Sequence, residues 1–417
     1  MATKKTYDVL IVGGGASGMM AAAVASSLGK QVLVLEKNTR LGEKLRISGG
    51  GRCNITNNES DVRALLAHYG DAEQFLYSAF AQFGVADTFA YFESRNLPLV
   101  TEARKRAFPA SHKAADVVRV LIDAMKAGKV TVRTGTTVTR INRDENRITA
   151  VRAGKEVYTA RSYILATGGV SHPETGSTGD GFSWLASLGH TVAPPTPTIV
   201  PLAVAEEWVH ALSGVSLSFM KISFFQGGKK KIMKTGKLLF THFGISGPLI
   251  LNTAKDVADL LQAGEVTATV DCFPDTDEGA LATKILHVFD ANKNKMLKNV
   301  FDEIAPRGTA KVLITMIPDI DPLKNVHSIT KEERMRIVRL LKALPLTVVG
   351  LMGYDRAVVA DGGIPLSEMD TKTVRSKKFS NLFITGDLLH INRPSGGYSL
   401  QLCWTTGYVA GVHAGVH

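Results

Sequence analysis

The chain has 417 residues, too many for one small core and enough for two or three packed units. Its composition is 45% hydrophobic and 21% charged, an ordinary globular balance, and its 39 glycines fall in short clusters rather than repeats. Cys53, Cys272 and Cys403 lie far apart and form neither a CxxC pair nor a disulfide framework, which fits a reducing compartment. An apolar strand begins by Tyr7, leaving no room for a signal peptide, and no run of about 18 apolar residues marks a transmembrane helix. A cytoplasmic protein without a membrane partner is expected.

The net charge of +11 could attract nucleic acid, anionic lipid or an acidic cofactor. The basic residues are spread along the chain, however, and Lys229-Lys230-Lys231 follows Gly227-Gly228 like a hairpin turn. A solvated surface or a phosphate-bearing cofactor explains this pattern better than an RNA partner does.

In chain order, residues 7–12 read as a buried strand, Ala16 to Leu28 as a helix, and residues 31–36 as a second buried strand, completing a βαβ unit. A polar, glycine-rich loop spans Asn38 to Asn58. Residues 61–127 read as mainly helical, with apolar spacing suited to one packed face. Val130 to Ile141 and Ile148 to Tyr158 alternate like antiparallel strands. A short buried strand then runs from Tyr163 into Thr167-Gly168-Gly169.

Pro194-Pro195-Thr196-Pro197 is the clearest boundary, because proline offers no donor and favours extended chain. Residues 198–272 suggest a small β-barrel or sandwich, and residues 276–342 are lysine-rich and helical in pattern. A last strand at residues 381–385 leads to Gly386-Asp387 and a helix from about Gly397. The expected domains are residues 1–194, an insertion at 195–345 (β-rich to 275, helical after it), and a returning segment at 346–417.

Gly13-Gly14-Gly15-Ala16-Ser17-Gly18 fits GxGxxG between a strand and a helix. Gly13 permits the tight turn, Gly15 removes a side chain that would block a pyrophosphate, and Gly18 lets helix and strand pack closely. Ala16 and Ser17 open the helix, whose free N–H groups suit phosphate. Glu36 ends the second strand about 20 residues later, where a carboxylate accepts hydrogen bonds from a ribose and repels the 2′-phosphate of NADP. FAD and NAD remain alternatives on this motif alone.

In Ser48-Gly49-Gly50-Gly51-Arg52-Cys53-Asn54, three glycines bare the backbone beside a fixed cation, as the face of a flat isoalloxazine requires. Arg40 and Lys44 are placed to balance a pyrophosphate. Ala166-Thr167-Gly168-Gly169 reads as a turn near the cofactor, and Asp387, after Gly386, as a partner for a ribityl hydroxyl. Gly397-Tyr398-Ser399-Leu400-Gln401 opens the last helix. Its N–H groups and dipole would stabilise the anion of a flavin that has accepted a hydride.

The series GGGASG, RISGGGRCNITN, RAFPASHKAADV, ATGGVSHPETGSTGDG, THFGISGP, ADGGI and GGYSLQ, in this order, resembles the HI0933-type flavoproteins. These are also called NAD(P)/FAD-dependent oxidoreductases or aminoacetone oxidase family FAD-binding enzymes. The resemblance covers essentially the whole chain from Asp8. It implies an α/β fold, a Rossmann-type FAD-binding domain interrupted by an insertion with a β-barrel part and a helical part. It also implies FAD contacts at the glycine turn, Glu36 with Lys37 after it, the Ser48–Asn54 loop, Val138, the Ala166–Gly169 turn, Gly386-Asp387 and the Gly397–Gln401 helix start. Two positions depart from the family pattern: His390 stands where an acidic residue is common, and Ser399 where asparagine is.

The cofactor carries the hydride, so little acid–base machinery is needed. His112, His172, His242 and His390 all lie near family-like motifs, and a structural hydrogen bond competes with catalysis at each. His390 leads because it is nearest an expected flavin contact. Cys53 has no partner cysteine, so packing or backbone positioning is favoured over redox chemistry. No metal site is expected. The absence of a second GxGxxG in strand–helix context argues against the two-nucleotide plan of disulfide reductases, and any NAD(P)H would bind transiently. The leading expectation is an FAD-dependent oxidoreductase of a small molecule, oxidase or NAD(P)H-fed reductase. The alternatives are a flavoprotein acting on tRNA and a non-catalytic flavin-binding redox partner.

Overall fold

Tyr7–Val12 forms strand β1, Ala16–Ser27 helix α1 and Val32–Leu35 strand β2 in a computed structural model that describes residues 7–415. β1 from Val9 onward and the whole of β2 are continuous buried apolar runs because both faces of their sheet are covered. Three further strands join them: Thr131–Arg133 (β3), Ala160–Leu165 (β4) and Leu382–Ile384 (β5). The order is β5–β4–β1–β2–β3, and every neighbouring pair is parallel. The Rossmann-type α/β core expected from the sequence is therefore present, with its last strand supplied by the returning C-terminal segment.

Helix α1 has no polar face. Residues Ser17 to Ser26 are all buried, because the last helix, Tyr398–His413, lies against it. Glycine makes that approach possible. A Cβ on Gly407 would stand 2.5 Å from the carbonyl oxygen of Ser17, and one on Gly411 would stand 2.7 Å from that of Ala21.

Contacts divide the chain into two units, Met1–Thr196 with Val358–His417, and Pro197–Ala357. The first carries the parallel sheet and two small antiparallel sheets. One of these joins Thr56–Asn57, Arg106–Pro109 and Leu99–Glu102, so the stretch 61–127 is not helical throughout. The other joins Arg140–Asp144, Arg147–Ala153 and Glu156–Tyr158. Residues 131–133, expected to be antiparallel, instead form the parallel edge strand β3. Alternation marks a half-covered strand but does not reveal its direction.

The second unit has its own apolar core, with Phe224 and Phe240 fully buried. Six strands close a barrel in the order Leu202–Val204, Gly244–Ser246, Lys229–Thr241, Ser216–Gln226, Val266–Asp271 and Leu344–Leu351. Of the barrel and sandwich alternatives, the barrel is the one formed. Its closing strand runs past residue 345, pairing Leu351 with Leu202. Helices Glu278–Ala291 and Lys331–Lys342 pack together beside it, the second opened by a reciprocal Thr330–Glu333 capping box. Among the described residues, no helix is long and apolar enough to cross a membrane.

Candidate functional site

The turn between β1 and α1 is closed on two sides and open on the third. A Cβ at Gly13 would lie 2.4 Å from the carbonyl oxygen of Ala166, and one at Gly18 would lie 2.0 Å from that of Gly13. At Gly15 a Cβ would meet nothing within 4 Å. Packing therefore requires glycine at 13 and 18, whereas at 15 it leaves room in front of the N-terminus of α1.

Glu36 is buried at the end of β2. Its carboxylate accepts from the N–H of Gly14 at 2.6 Å and of Asn38 at 2.8 Å, which fixes it beside the turn with lone pairs to spare for hydroxyl donors. Next to it lies an open cleft of about 410 Å³, its solvent-facing space included, at the C-terminal ends of β1 and β2 where open α/β sheets bind ligands. Gly13, Glu36, Lys37, Val138 and Thr167 line it, all named from the sequence. Thr178 and Asp180, inside the ATGGVSHPETGSTGDG series but not singled out from it, line it as well, as do Thr136, Thr137 and Trp184, which no motif signalled. Lys37 donates to Thr178 at 2.5 Å and to Asp180 at 2.8 Å, so its charge is already matched. Burial pushes the Asp180 carboxyl up, but Lys37 and Thr178 outweigh this and hold it below the usual carboxylate range.

A second polar cluster follows β5. Asp387 pairs with Arg393, which is itself buried, and with Lys44 at 3.5 Å. Burial alone would raise the Asp387 pKa; the two cations more than cancel this and hold the carboxyl low. Arg393 also donates to the Ser399 hydroxyl at 3.1 Å and to the Ile391 carbonyl at 2.7 Å. Serine at 399, one of the departures from the family pattern, thus anchors the arginine. Gly169 and the backbone of Asp387 are adjacent, which brings the Ala166–Gly169 turn to this cluster. Arg40 instead pairs with Glu43 at 2.7 Å on the surface.

The glycine loop is pinned from beneath by the last helix. Gly49, Gly50 and Gly51 all have positive φ (57°, 67° and 82°), and a Cβ on Gly50 or Gly51 would meet open space. Asn54, with its amide oriented to satisfy its neighbours, accepts from the N–H of Gly397 at 2.9 Å. Gln401 is fully buried, accepting from Thr56 at 2.6 Å and Thr88 at 3.0 Å and donating to Thr405 at 3.1 Å. Tyr398 is buried and Leu400 half-buried in the same turn. Cys53 is buried beneath the loop, and burial pushes its thiol up to about 12, against a smaller opposing effect from Ser48. At the loop's surface Arg52 stacks 4.2 Å over Phe108 and pairs with Glu102 and His112.

The other histidines are dispersed. His390, half-exposed, lies 3.4 Å from Asp361, and His172 lies 2.8 Å from Glu174. His242 belongs to the second unit, against Phe243. One histidine not singled out from the sequence, His190, is buried between Glu368 at 2.6 Å and Ser376 at 3.0 Å. This resembles a hydrolase triad in composition, but Ser376 is buried and its hydroxyl accepts from the N–H groups of Lys378 and Phe379. It is a structural clasp.

The open ground at Gly15, the fixed Glu36 carboxylate, the cleft beside it and the bare glycine loop together fit a dinucleotide that carries a flat ring. Residues 7–413 match the HI0933-like protein Rossmann domain. The chain belongs to that family. Along 408 residues it is 31% identical to the 3-dehydro-bile acid delta(4,6)-reductase of Clostridium scindens, covering 96% of this chain and 97% of that one. It is 27% identical over 407 residues to the ribosomal RNA dihydrouridine synthase of Escherichia coli, covering 96% of each. Its fold is like that of the 3-ketosteroid-delta4-(5alpha)-dehydrogenase of Rhodococcus jostii, with a TM-score of 0.57 at 14% identity over 100% of this chain and 98% of that one. The HI0933-like protein is an FAD-dependent oxidoreductase, as its family and full-length relatives indicate.

Proposed function

We propose that this HI0933-like protein reduces a carbon–carbon double bond conjugated to a carbonyl, and that its preferred substrate is a small molecule. The observation that carries this reading is shared chemistry between two full-length relatives. A delta(4,6)-reductase of a 3-dehydro bile acid and a dihydrouridine synthase both saturate a double bond in conjugation with a carbonyl, although their substrates differ in every other respect. Of the two, the relative with the small substrate is more similar, at 31% against 27% identity.

In this reading FAD, when bound and reduced, supplies the hydride. The chain's own residues hold and orient it. The α1 N-terminus, open at Gly15 with Ala16 and Ser17 behind it, takes the pyrophosphate, and Glu36 takes the adenosine ribose in the cleft lined by Lys37 and Val138. Asp387, braced by Arg393 and Lys44, faces the ribityl chain between Gly386 and the Ala166–Gly169 turn. The Ser48–Asn54 loop and the Gly397–Gln401 helix start flank the ring. A nicotinamide donor would bind only transiently, since the sequence offers one dinucleotide turn.

A second reading, an RNA substrate, has a specific feature in its favour. In the second unit Lys229, Lys230, Lys231, Lys234 and Lys237 are exposed on one barrel strand, and none has an ion-pair partner among the described residues. Phe219, 49% exposed at a bulge in the register of the neighbouring strand, lies near Lys237, at the opposite end of the hairpin from Lys229–Lys231. Lysines with an exposed aromatic are the elements of a single-strand RNA platform.

Anaerobic titration tests both readings. NADH or NADPH should bleach the bound flavin, and 4-androstene-3,17-dione or cyclohex-2-en-1-one should restore its colour faster than buffer does. Restoration by a uridine-containing RNA but by neither ketone favours the second reading. Restoration by air alone, with no response to any of these acceptors, defeats both.

A further inference from the structure

We propose that His112 is the hydrogen-bond donor to the substrate's carbonyl oxygen, presenting its Nε2–H beside the glycine loop; this rests on the conjugated-carbonyl reading above. The deciding feature is the Arg52 guanidinium, whose Nε and Nη2 lie 3.3 and 2.9 Å from His112 Nδ1. A guanidinium has donors only, so Nδ1 must accept, and a neutral imidazole whose Nδ1 accepts carries its hydrogen on Nε2. Glu102 does not compete for that nitrogen, since its Oε1 is 3.9 Å from Nδ1, beyond hydrogen-bond length.

The arrangement is fixed from several sides. Arg52 directly follows Gly49–Gly51, pairs with Glu102 and stacks over Phe108, and Arg106 reaches Glu102 at 4.0 Å. Phe108 in turn lies against Gly49, where a Cβ would stand 3.7 Å from the ring. Cys53, Arg104, Lys105 and His112 all hold positive φ without being glycine (61°, 61°, 57° and 51°). Such backbone persists only where surrounding contacts impose it, and it clusters at ligand-handling sites. The His112 side chain is 43% exposed, and its Nε2 has no hydrogen-bond partner among the described residues. A donor is therefore set in a fixed tautomer at the edge of the loop proposed to carry the flavin ring.

The chemistry balances without moving the histidine's proton. Reduced FAD, when bound, would supply the hydride for the new C–H bond at the β-carbon, and the electron pair of the double bond would move to the carbonyl oxygen. That developing oxyanion is met by Nε2–H, a preorganised dipole in the place where charge appears. A proton from water then bonds to the α-carbon as the carbonyl reforms. Arg52 and Glu102 act through the imidazole and are positioning residues.

Two measurements on the FAD-loaded enzyme test this. In ¹⁵N-histidine spectra at pH 7.5, the signals lost in His112→Phe should show Nδ1 bare and Nε2 protonated, and Arg52→Gln should mix the tautomers. With cyclohex-2-en-1-one, His112→Phe should lose at least 100-fold in kcat/KM while retaining stoichiometric FAD that dithionite still reduces. His112→Gln, which keeps an N–H donor, should recover part of the loss. A proton on Nδ1, or a His112→Phe variant within twofold of wild type, overturns the proposal. A wild-type enzyme that reduces no conjugated ketone overturns the functional reading and the substrate role of His112 with it. A failure confined to the variant overturns this proposal alone.

Discussion

The indole Nε1 of Trp404 donates to the carbonyl oxygen of Ile55 at 2.9 Å, tying the last helix to the glycine loop across 349 residues of chain. Both residues are fully buried, so no water replaces the bond. Trp404→Phe keeps most of the apolar surface but leaves a buried carbonyl unpaired, at a cost of about 1–3 kcal/mol. Urea unfolding of the apo-protein should show that loss. The additional stabilisation conferred by FAD should shrink as well, because the loop proposed to carry the ring is held by this bond.

The glycine turn separates packing from ligand binding. Gly18→Ala sets a methyl 2.0 Å from the Gly13 carbonyl and should cost the apo-protein about 1–3 kcal/mol through overpacking. Gly15→Ala meets no atom within 4 Å, so apo stability should stay within about 1 kcal/mol of wild type. Retained FAD, measured by absorbance after gel filtration, should nonetheless fall. Full retention in Gly15→Ala would show that the phosphate does not approach the backbone there.

How much of this was legible in the sequence depended on whether the cause was local. The turn, α1, Glu36 and the apolar strands carry their reasons in adjacent residues and stand where expected. The hairpin of Leu99–Glu102 and Arg106–Pro109 was hidden because its turn has no glycine, asparagine or aspartate. Arg104 and Lys105 take the left-handed backbone instead, held by the surrounding contacts. Thr178 and Asp180 stand inside the ATGGVSHPETGSTGDG series, but Thr136 and Trp184 reach the cleft from opposite sides of β4 in the chain, so no spacing announced them. The same is true of Arg52 and His112, 60 residues apart and joined only by the fold.

Asp387 and Arg393 should behave as one unit towards acid. Asp387→Asn strands a buried guanidinium and should destabilise the apo-protein by about 3–5 kcal/mol at neutral pH. Because the folded-state pKa lies below the ordinary value, the carboxylate's contribution is present above about pH 4 and is lost as the pH falls further. The gap between wild type and variant, read from urea midpoints, should be level from pH 8 to about 5 and then narrow. A gap that instead narrowed between pH 8 and 6 would mean a different group titrates.

The thiols are predicted to be inert. Burial pushes Cys53, Cys272 and Cys403 each up to about 12, so almost no thiolate exists at pH 8 to attack an alkylating agent. Native protein treated with iodoacetamide at that pH should show no adduct by intact mass, and protein in 8 M urea should take up three. Cys53 decides the matter, because its place under the glycine loop invited a redox role. Rapid alkylation there, with loss of bound FAD, would mean that the loop opens and exposes the thiol. Protection that persists in the apo-protein would assign Cys53 to packing, with the loop held by Trp404 and Asn54 whether or not the cofactor is bound.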